Sequence, residues 1–591
     1  MVKGRAAIIL LVFFFGLYFF LSPKRIYGSN DGAHFVLLRN LDIGQTKLDE
    51  RLMPYTGNVS FAEFKGIKYS DRPPGLAVLS APLYFSAKVL SRLFPFEFLP
   101  LEMESSISGL QTNTEDLFPA SSFGVAIVHM VPIFFSAATI SLLFLFLSLY
   151  TSRIWLCFLL SGLFGIGTLF AKYATVFFSH NVSGFFTMAI VFLLFRIKNS
   201  VDPLGLRVYA CFGFCLGYMS LLEHQMAILG LGVLIVIAFG YKSFFRISSG
   251  LVNDAVLRFL FWGAVPVLAM ACYQYALFGD PTSTTYSHHG VFLYAHSFAG
   301  MFSGNITDGL IGLLITPSRN GLFSSSPFIL VGVIAALVTL SRNRMEKTFL
   351  IFVSVAHIVL IGHFKEWHGG GFYPRYIIWS ALLLYTAGAL WLVEAWEIYV
   401  RRESARFYRV ESFLLLVFIF CAAYGVYNNF FDFPLFFSAT KFFDPSIQNS
   451  YFPGFTHWPL FGLVMLFPFC LWIFRSFYSE DLWKSTYKIF LVVAFFVFMG
   501  VFLLYKSADI PSWAKRKILV LENFHVWNIN QENRINLETV AEVLPQRYSV
   551  NLQGTGGNFL YPVAYDQPGN LVYRLPRLAP GSRLFLSLDF T

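Results

Sequence analysis

An aspartate and, three residues later, a histidine stand at the head of SNDGAHFVLLRNL. Asp31 follows closely on a long apolar run, so it should sit near a membrane surface, where a carboxylate can take a proton from an acceptor hydroxyl. His34 shares a face with it if the stretch is helical. Ser29, Asn30 and Asp31 also suit the cap of a helix over 32–40, and the two readings are compatible. A second acid, Asp71, stands next to Arg72 in KYSDRPPG, where Arg72 can instead pair with another loop charge. The prolines that follow set a rigid entry into the next helix.

Further candidates recur where apolar runs meet. FAKYATVFFSHNVSGFF places Lys172 and His180 on either side of a short apolar stretch. The lysine there either binds a lipid phosphate or reaches toward the headgroups. His180 is either a helix cap or a buried hydrogen-bonding group. SLLEHQM puts Glu223 and His224 between two apolar runs with almost no loop, as a solvated turn or as part of a site. Arg319 lies in the Pro-Ser-Arg-Asn-Gly turn before another run, well placed for an interfacial phosphate. His288 and His289 lack a third ligand at helical spacing, so no metal centre is read there.

The densest cluster is GHFKEWHGGGFYPRYIIW, where Lys365, Glu366, His368 and Arg375 surround three glycines. The glycines permit close backbone approach. Arg375 and Lys365 can hold a phosphate or diphosphate, and Trp367 and Tyr373 can contact a sugar or isoprenoid face. A plain interfacial belt of aromatic and basic residues would need neither the glycine run nor a histidine beside a glutamate.

The elements that must position these residues are membrane helices. With 56% of its 591 residues hydrophobic, only 13% charged and a mean hydropathy of +0.62, the chain carries more apolar surface than a soluble domain can hide. The net charge of +10 therefore does not point to nucleic acid; excess Lys and Arg mark cytoplasmic turns. The six cysteines all fall in apolar runs, with no metal spacing and no disulfide framework. Spans need roughly 17 to 25 apolar residues. Thirteen stretches qualify: 6–22, 123–150, 154–171, 182–197, 207–222, 225–241, 257–278, 326–341, 348–363, 376–399, 411–430, 459–476 and 487–505. The first has no small-x-small cleavage site after it and is read as an uncleaved helix with Lys3 and Arg5 in the cytoplasm.

A fourteenth stretch, 76–94, decides the sidedness. If it does not cross, every short turn on the side of Lys3 and Arg5 carries base, from Arg153 through Arg342, Arg344 and Lys347 to Lys484 and Lys488. If it crosses, all those turns move outside, against the charge rule. Lys88 and Arg92 lie four apart and Pro82 interrupts the run, so 76–94 reads as an amphipathic helix on the outer surface. The long loops 23–122 and 279–325, and the C-terminal segment, are then expected outside, together with the candidate residues.

Taken in order, these motifs resemble the GT-C superfamily of integral-membrane glycosyltransferases, most closely the bacterial aminoarabinose transferases and protein O-mannosyltransferase-like enzymes. The resemblance rests on SNDGAHF after the first helix, KYSDRPPG before a surface helix, TPSRNGLFSSSPF before a span and WHGGGFYPRY between spans, and it covers roughly residues 1–505. It implies an all-α polytopic fold of about thirteen spans with juxtamembrane helices. It also implies a polyprenyl-phosphate-linked sugar as donor, and a glycan, lipid or protein acceptor at the outer face. Transfer would be inverting, with Asp31 as base, Asp71 as a second catalytic acid, and Arg375, Lys365, Arg319 and Lys172 as phosphate contacts. His34, Arg72, His180, Glu223, His224, Trp367, His368 and Tyr373 would line the substrates. Many relatives carry two adjacent acids in the first loop, whereas here Gly32 follows Asp31. That departure weakens a metal-dependent reading, and a divalent cation is left open. A monomer in a bacterial inner membrane is expected.

Residues 506–591 differ in kind. KILVLENFHVWNI, RYSVNLQG, GNLVYRL and SRLFLSLDF read as strands of a small outer β-rich domain, expected to act as a lid or packing piece, with carbohydrate binding as the alternative. Two other functions compete with this reading. A lipid-linked sugar flippase should carry polar groups through the depth of the bundle and paired broken helices. An acyltransferase should rely on a buried mid-bundle histidine, and His357 has no acid nearby in sequence.

Overall fold

The computed structural model describes residues 2–22, 29–42, 44–56, 59–93, 122–200, 204–244, 252–316, 320–339, 343–367, 374–401 and 407–431, with five short strands between 534 and 589. The chain divides into two compact units, Met1–Leu101 with Asn113–Phe477, and Glu102–Thr112 with Tyr478–Thr591.

Among the described residues the first unit is almost wholly helical. Its long helices are α1 (Val2–Leu21), α2 (Ser29–Asp42), α3 (Gly75–Leu93), α4 (Ser122–Leu147), α5 (Ile154–Gly167), a short α6 (Phe170–Tyr173), α7 (Ser179–Asn199), α8 (Leu206–Leu222), α9 (Ala227–Phe244) and α10 (Val252–Phe278). There follow three shorter pieces, α11 (Phe298–Met301), α12 (Ile306–Leu314) and α13 (Leu322–Ser325), and then α14 (Pro327–Val338), α15 (Arg344–His363), α16 (Ile378–Arg401) and α17 (Phe407–Val426). Six of them, α1, α4, α7, α10, α15 and α16 with its 3₁₀ lead-in from Arg375, are long and apolar enough to cross a membrane. The expected spans at 154–171, 207–222, 225–241, 326–341 and 411–430 correspond to shorter apolar helices. Those at 459–476 and 487–505 lie outside the described residues.

The shortening has local causes. Thr168 turns extended and ends α5, so the expected run to 171 splits into α5 and α6. Proline at the first position starts α14, and an extended Thr339 ends it, in keeping with proline's preference for the first helical turn. Arg196 and Lys198 in the last turn of α7 oppose the partial negative charge of its C-terminus. The helix expected over 32–40 is α2, which begins at Ser29, so Asp31 lies in its first turn rather than before it.

The α1 and α4 helices run antiparallel. Near one end Lys3 Nζ donates to the Ser148 carbonyl, and Ser141 Oγ to that of Ala7. Near the other end of α1, Tyr18 Oη donates to Gly165 O and Ser22 Oγ to Thr175 O. The α16 helix is the central one: 94% of its apolar stretch is buried, against 22% for α10. Trp379, Tyr385 and Trp391 are among its fully enclosed side chains. Whatever precedes α16 is thereby held at the head of the best-packed helix.

Between α2 and α3 a hairpin forms from β1 (Phe61–Phe64) and β2 (Ile67–Ser70), paired antiparallel with Phe61 opposite Ser70. Its two-residue turn, Lys65-Gly66, has positive φ at both positions, the geometry that matches the twist of the flanking strands. In the second unit β3 (Arg534–Glu538) pairs with β6 (Asn570–Arg574), and β4 (Arg547–Leu552) lies between β5 (Asn558–Pro562) and β7 (Leu584–Asp589), all antiparallel. Three of the four expected strand segments are met by β4, β6 and β7. The fourth, 517–529, lies outside the described residues, and β3 and β5 were not expected.

Candidate functional site

Two loops meet at Asp71. The hairpin delivers Asp71 and Arg72 directly after β2. Ser70 Oγ donates to Ala33 O at 3.1 Å, which fixes the end of β2 to α2. From the second loop, Thr285 Oγ1 donates to Asp71 O at 2.7 Å. Gly290 N donates to Phe61 O at 2.9 Å, and Ala62 pairs with His289 in a single β-bridge. The backbone of Asp71 is thus held from both sides.

Its side chain is held as well. Arg72 Nε lies 3.1 Å from Asp71 Oδ1, and His289 Nε2 lies 3.6 Å from Oδ2. His289 Nδ1 accepts from the N–H groups of Val291 and Phe292. The neutral ring therefore carries its proton on Nε2, facing the carboxylate. Burial raises the Asp71 carboxyl, but Arg72 and then His289 outweigh it, and the group sits below the usual carboxylate range. Asp71 is an anchored anion.

Arg72 is the hub. It donates from Nη2 to Ser60 Oγ at 3.0 Å. Burial lowers its basicity, while Asp71, Tyr286, Tyr376 and Asp31 all lie near enough to raise it, and the net change is upward. Asp31 is fully buried in the first turn of α2. Its neighbour has to be glycine: a Cβ at Gly32 would overlap the Tyr55 carbonyl. The lack of a second acid directly after Asp31 therefore reflects packing, because no side chain fits at position 32. His34, on the same helix, is 1% exposed, and neither ring nitrogen has a hydrogen-bond partner. Burial lowers its pKa well below the ordinary value, and facing Arg72 and His180 add to that, against Asp71. The ring is neutral.

A second cluster stands beside the first. His180, in the first turn of α7, places Nδ1 2.7 Å from Glu223 Oε1. The same carboxylate accepts from Ser179 Oγ at 3.1 Å, and its other oxygen from Gln225 Nε2 at 2.6 Å. Burial raises the Glu223 carboxyl, but His180, Gln225 and Ser179 bring it below its usual value. The His180 ring meets Tyr376 edge-on at 5.6 Å and Phe178 at 5.9 Å. Arg375 lies over the same two rings, 5.1 Å from Tyr376 and 5.5 Å from Phe178. His224 is half-buried, its ring 6.2 Å from that of Tyr286. Burial lowers its pKa, against Glu223.

Other candidates fall outside this core. Lys365 is exposed, 4.6 Å from the Tyr294 ring, and its N–H bonds Met301 O at 2.9 Å. Trp367 does not present its ring for a sugar: it packs onto α12, where a Cβ at Gly312 would overlap the indole. Lys172 is buried within α6 rather than extended toward headgroups. Arg319, His368 and Tyr373 lie outside the described residues. His357, the acyltransferase candidate, stacks on Trp379 at 4.0 Å and places Nδ1 2.6 Å from Ser380 Oγ. Among the described residues no three His, Cys, Asp or Glu side chains come together to hold a metal ion.

Sequence reasoning missed Tyr286 and Tyr376, which join the Arg72 and His180 clusters, and saw His289 only as half of a metal pair. The Tyr-Ser-His-His and Arg-Tyr neighbourhoods were the available signals. No protein-family model matches the chain, and a search of curated proteins finds no match.

Proposed function

We propose that the protein is an inverting glycosyltransferase that moves a sugar from a polyprenyl-phosphate carrier to a hydroxyl acceptor at the extracytoplasmic face of a membrane. Asp31 takes the acceptor proton, the acceptor oxygen attacks the anomeric carbon, and the sugar–oxygen bond to phosphate breaks. Arg375, with Lys365 at the rim, holds the departing phosphate. Arg72 and the Asp71–His289 pair keep the Asp31 region in place.

The observation that carries this reading is that Arg375 and His180 share the Tyr376 and Phe178 rings, that Glu223 holds His180, and that Arg72 lies within electrostatic reach of Tyr376, Tyr286 and Asp31. The antiparallel pairing of α1 and α4 supports the proposed sidedness. It returns the chain between them to the end from which it left, as a non-crossing 75–93 requires. On this reading the thirteen-span layout, the cytoplasmic N-terminus and an outer β-rich C-terminal piece follow from the charge rule. The flippase alternative is less well supported. Among the described residues the buried Asp, Glu and Lys side chains (Asp31, Asp71, Lys172, Glu223, Glu346, Lys347 and Glu394) lie toward helix ends or in the connecting segments rather than through the depth.

The test is turnover by the purified full-length protein. It should release polyprenyl phosphate from a polyprenyl-phosphate sugar when membrane glycans and lipids are supplied as acceptors. Asp31→Asn is expected to cut that rate by about 10³-fold or more while donor binding persists. Full activity of this variant would remove Asp31 from its role; no turnover by the unaltered protein on any such donor would remove the reaction.

A further inference from the structure

We infer that His180, oriented by Glu223, is the proton donor to the departing phosphate in the transfer proposed above, and this inference rests on that reading. The geometry has three parts. A buried carboxylate engages one ring nitrogen of the histidine at 2.7 Å. That carboxylate is itself fixed by Ser179 and Gln225, so it cannot swing away. The other ring nitrogen, Nε2, is buried without a hydrogen-bond partner on a residue only 6% exposed.

A carboxylate on Nδ1 holds a histidine in one orientation, and in the charged ring it leaves Nε2–H as the working donor. A buried N–H with no partner is costly, and a ligand oxygen placed there would satisfy it. Arg375 identifies that ligand as an anion. Its guanidinium shares Phe178 and Tyr376 with the His180 ring, and its Nε is likewise buried without a partner. A phosphate lying against this pair of rings would be met by a fixed cation and by a proton donor.

The step balances. The sugar–oxygen bond breaks with its electron pair remaining on the phosphate oxygen, and Nε2 gives that oxygen its proton. A polyprenyl phosphate monoanion leaves, and the imidazole is left neutral. The acceptor proton, taken by Asp31, is the one released to solvent, and His180 is reprotonated from water before the next turnover.

The groups facing His180 are Glu223 from the turn after α8, Tyr173 from α6, Tyr376 and Arg375 from the lead-in to α16, and His34 from α2. A donor histidine makes the rate fall as pH rises through its titration. The experiment is the pH dependence of kcat for the full-length protein in detergent, with a polyprenyl-phosphate sugar as donor. His180→Gln is expected to lower kcat by about a hundredfold and to abolish the alkaline decline. Glu223→Gln keeps the size of the side chain but loses the negative charge beside Nδ1, so its alkaline decline should move to lower pH. A purely structural role would change yield or donor KM without moving either limb. If His180→Gln fails to fold, seen as loss of donor binding, Glu223→Gln carries the test. An unmoved alkaline limb in the folded variants, with Asp31→Asn still inactive, would overturn the inference and leave the transferase reading standing. Absence of turnover in the unaltered protein would overturn both.

Discussion

The two ends of the helical unit handle buried charge in opposite ways. Around the N-terminus of α15, Lys347 Nζ meets Glu394 Oε2 at 2.7 Å, while the Asn343 backbone N–H and side-chain amide both donate to Oε1. Lys198 meets Glu346 at 2.7 Å, and Thr151 Oγ1 donates to Glu397 at 2.6 Å. Each of these charges is answered within the protein. At the end that holds Asp31, the rings of His34, His180 and His224 and the guanidinium of Arg375 keep buried nitrogens without a hydrogen-bond partner. Native proteins rarely leave such groups unmatched unless a ligand or water completes them. The first end is a closed network that holds helices in register. The second is an incomplete one: the Arg375 Nε–H lacks an acceptor, and ring nitrogens of His34, His180 and His224 lack partners.

That contrast can be broken at either end. The largest effect on stability is expected at the closed end. Lys347 and Glu394 have side chains only 2% and 9% exposed, so Lys347→Met would strand a buried carboxylate at a cost of about 3–5 kcal/mol. The melting temperature in detergent should drop sharply while kcat of the surviving protein is unchanged; the double variant Lys347→Met with Glu394→Leu should recover much of the loss. A fall in kcat with normal melting would mean that the closed end takes part in chemistry.

At the open end, Gly32→Ala should cost about 1–3 kcal/mol, because the added methyl meets the Tyr55 carbonyl and α2 must shift. Here melting and turnover should fall together, since Asp31 moves with the helix. Unchanged turnover would separate Asp31 from the site.

The smallest effect is in the pH dependence of stability. His34 and His224 are held neutral in the fold, with pKa values below the ordinary imidazole value. Below about pH 6.5 the unfolded chain takes up protons there that the folded chain refuses, so stability falls as the pH drops. The depressed carboxyls of Asp71 and Glu223 act in a lower window: their contribution is full above the ordinary carboxylate range and is lost as pH falls through their folded values. Melting measured between pH 7 and 5 therefore isolates the histidines, and His34→Asn should flatten part of that slope. An unchanged slope would show that His34 is not held neutral by the fold.

How legible this was depended on residue type. Asp31, Asp71, Arg72, His180, Glu223 and Arg375 stood out because a charge or a histidine beside an apolar run is rare enough to notice. Tyr286 and Tyr376 did not, because in a chain that is 19% aromatic one more tyrosine carries no signal. His289 was misjudged because the contacts that bring its ring to Asp71 are made through the backbone, between Gly290 and Phe61 and between His289 and Ala62, and leave no mark in the residue pattern. Apolar runs located the helices well but not their ends, as the break at Thr168 shows. The role of Gly32 needed the Tyr55 carbonyl, which no reading of SNDGAHF could supply.

The clasp between the loops also sets an order of events during synthesis. Thr285 is 214 residues downstream of the Asp71 carbonyl it binds. At roughly 5–20 residues per second, the hairpin must wait on the order of 10 to 40 s before its partner emerges. Throughout that interval Asp71 lacks His289 and Thr285, and the pocket around Arg72 is unfinished. The nascent first loop is therefore a waiting piece, and the site closes only after α10 has been made.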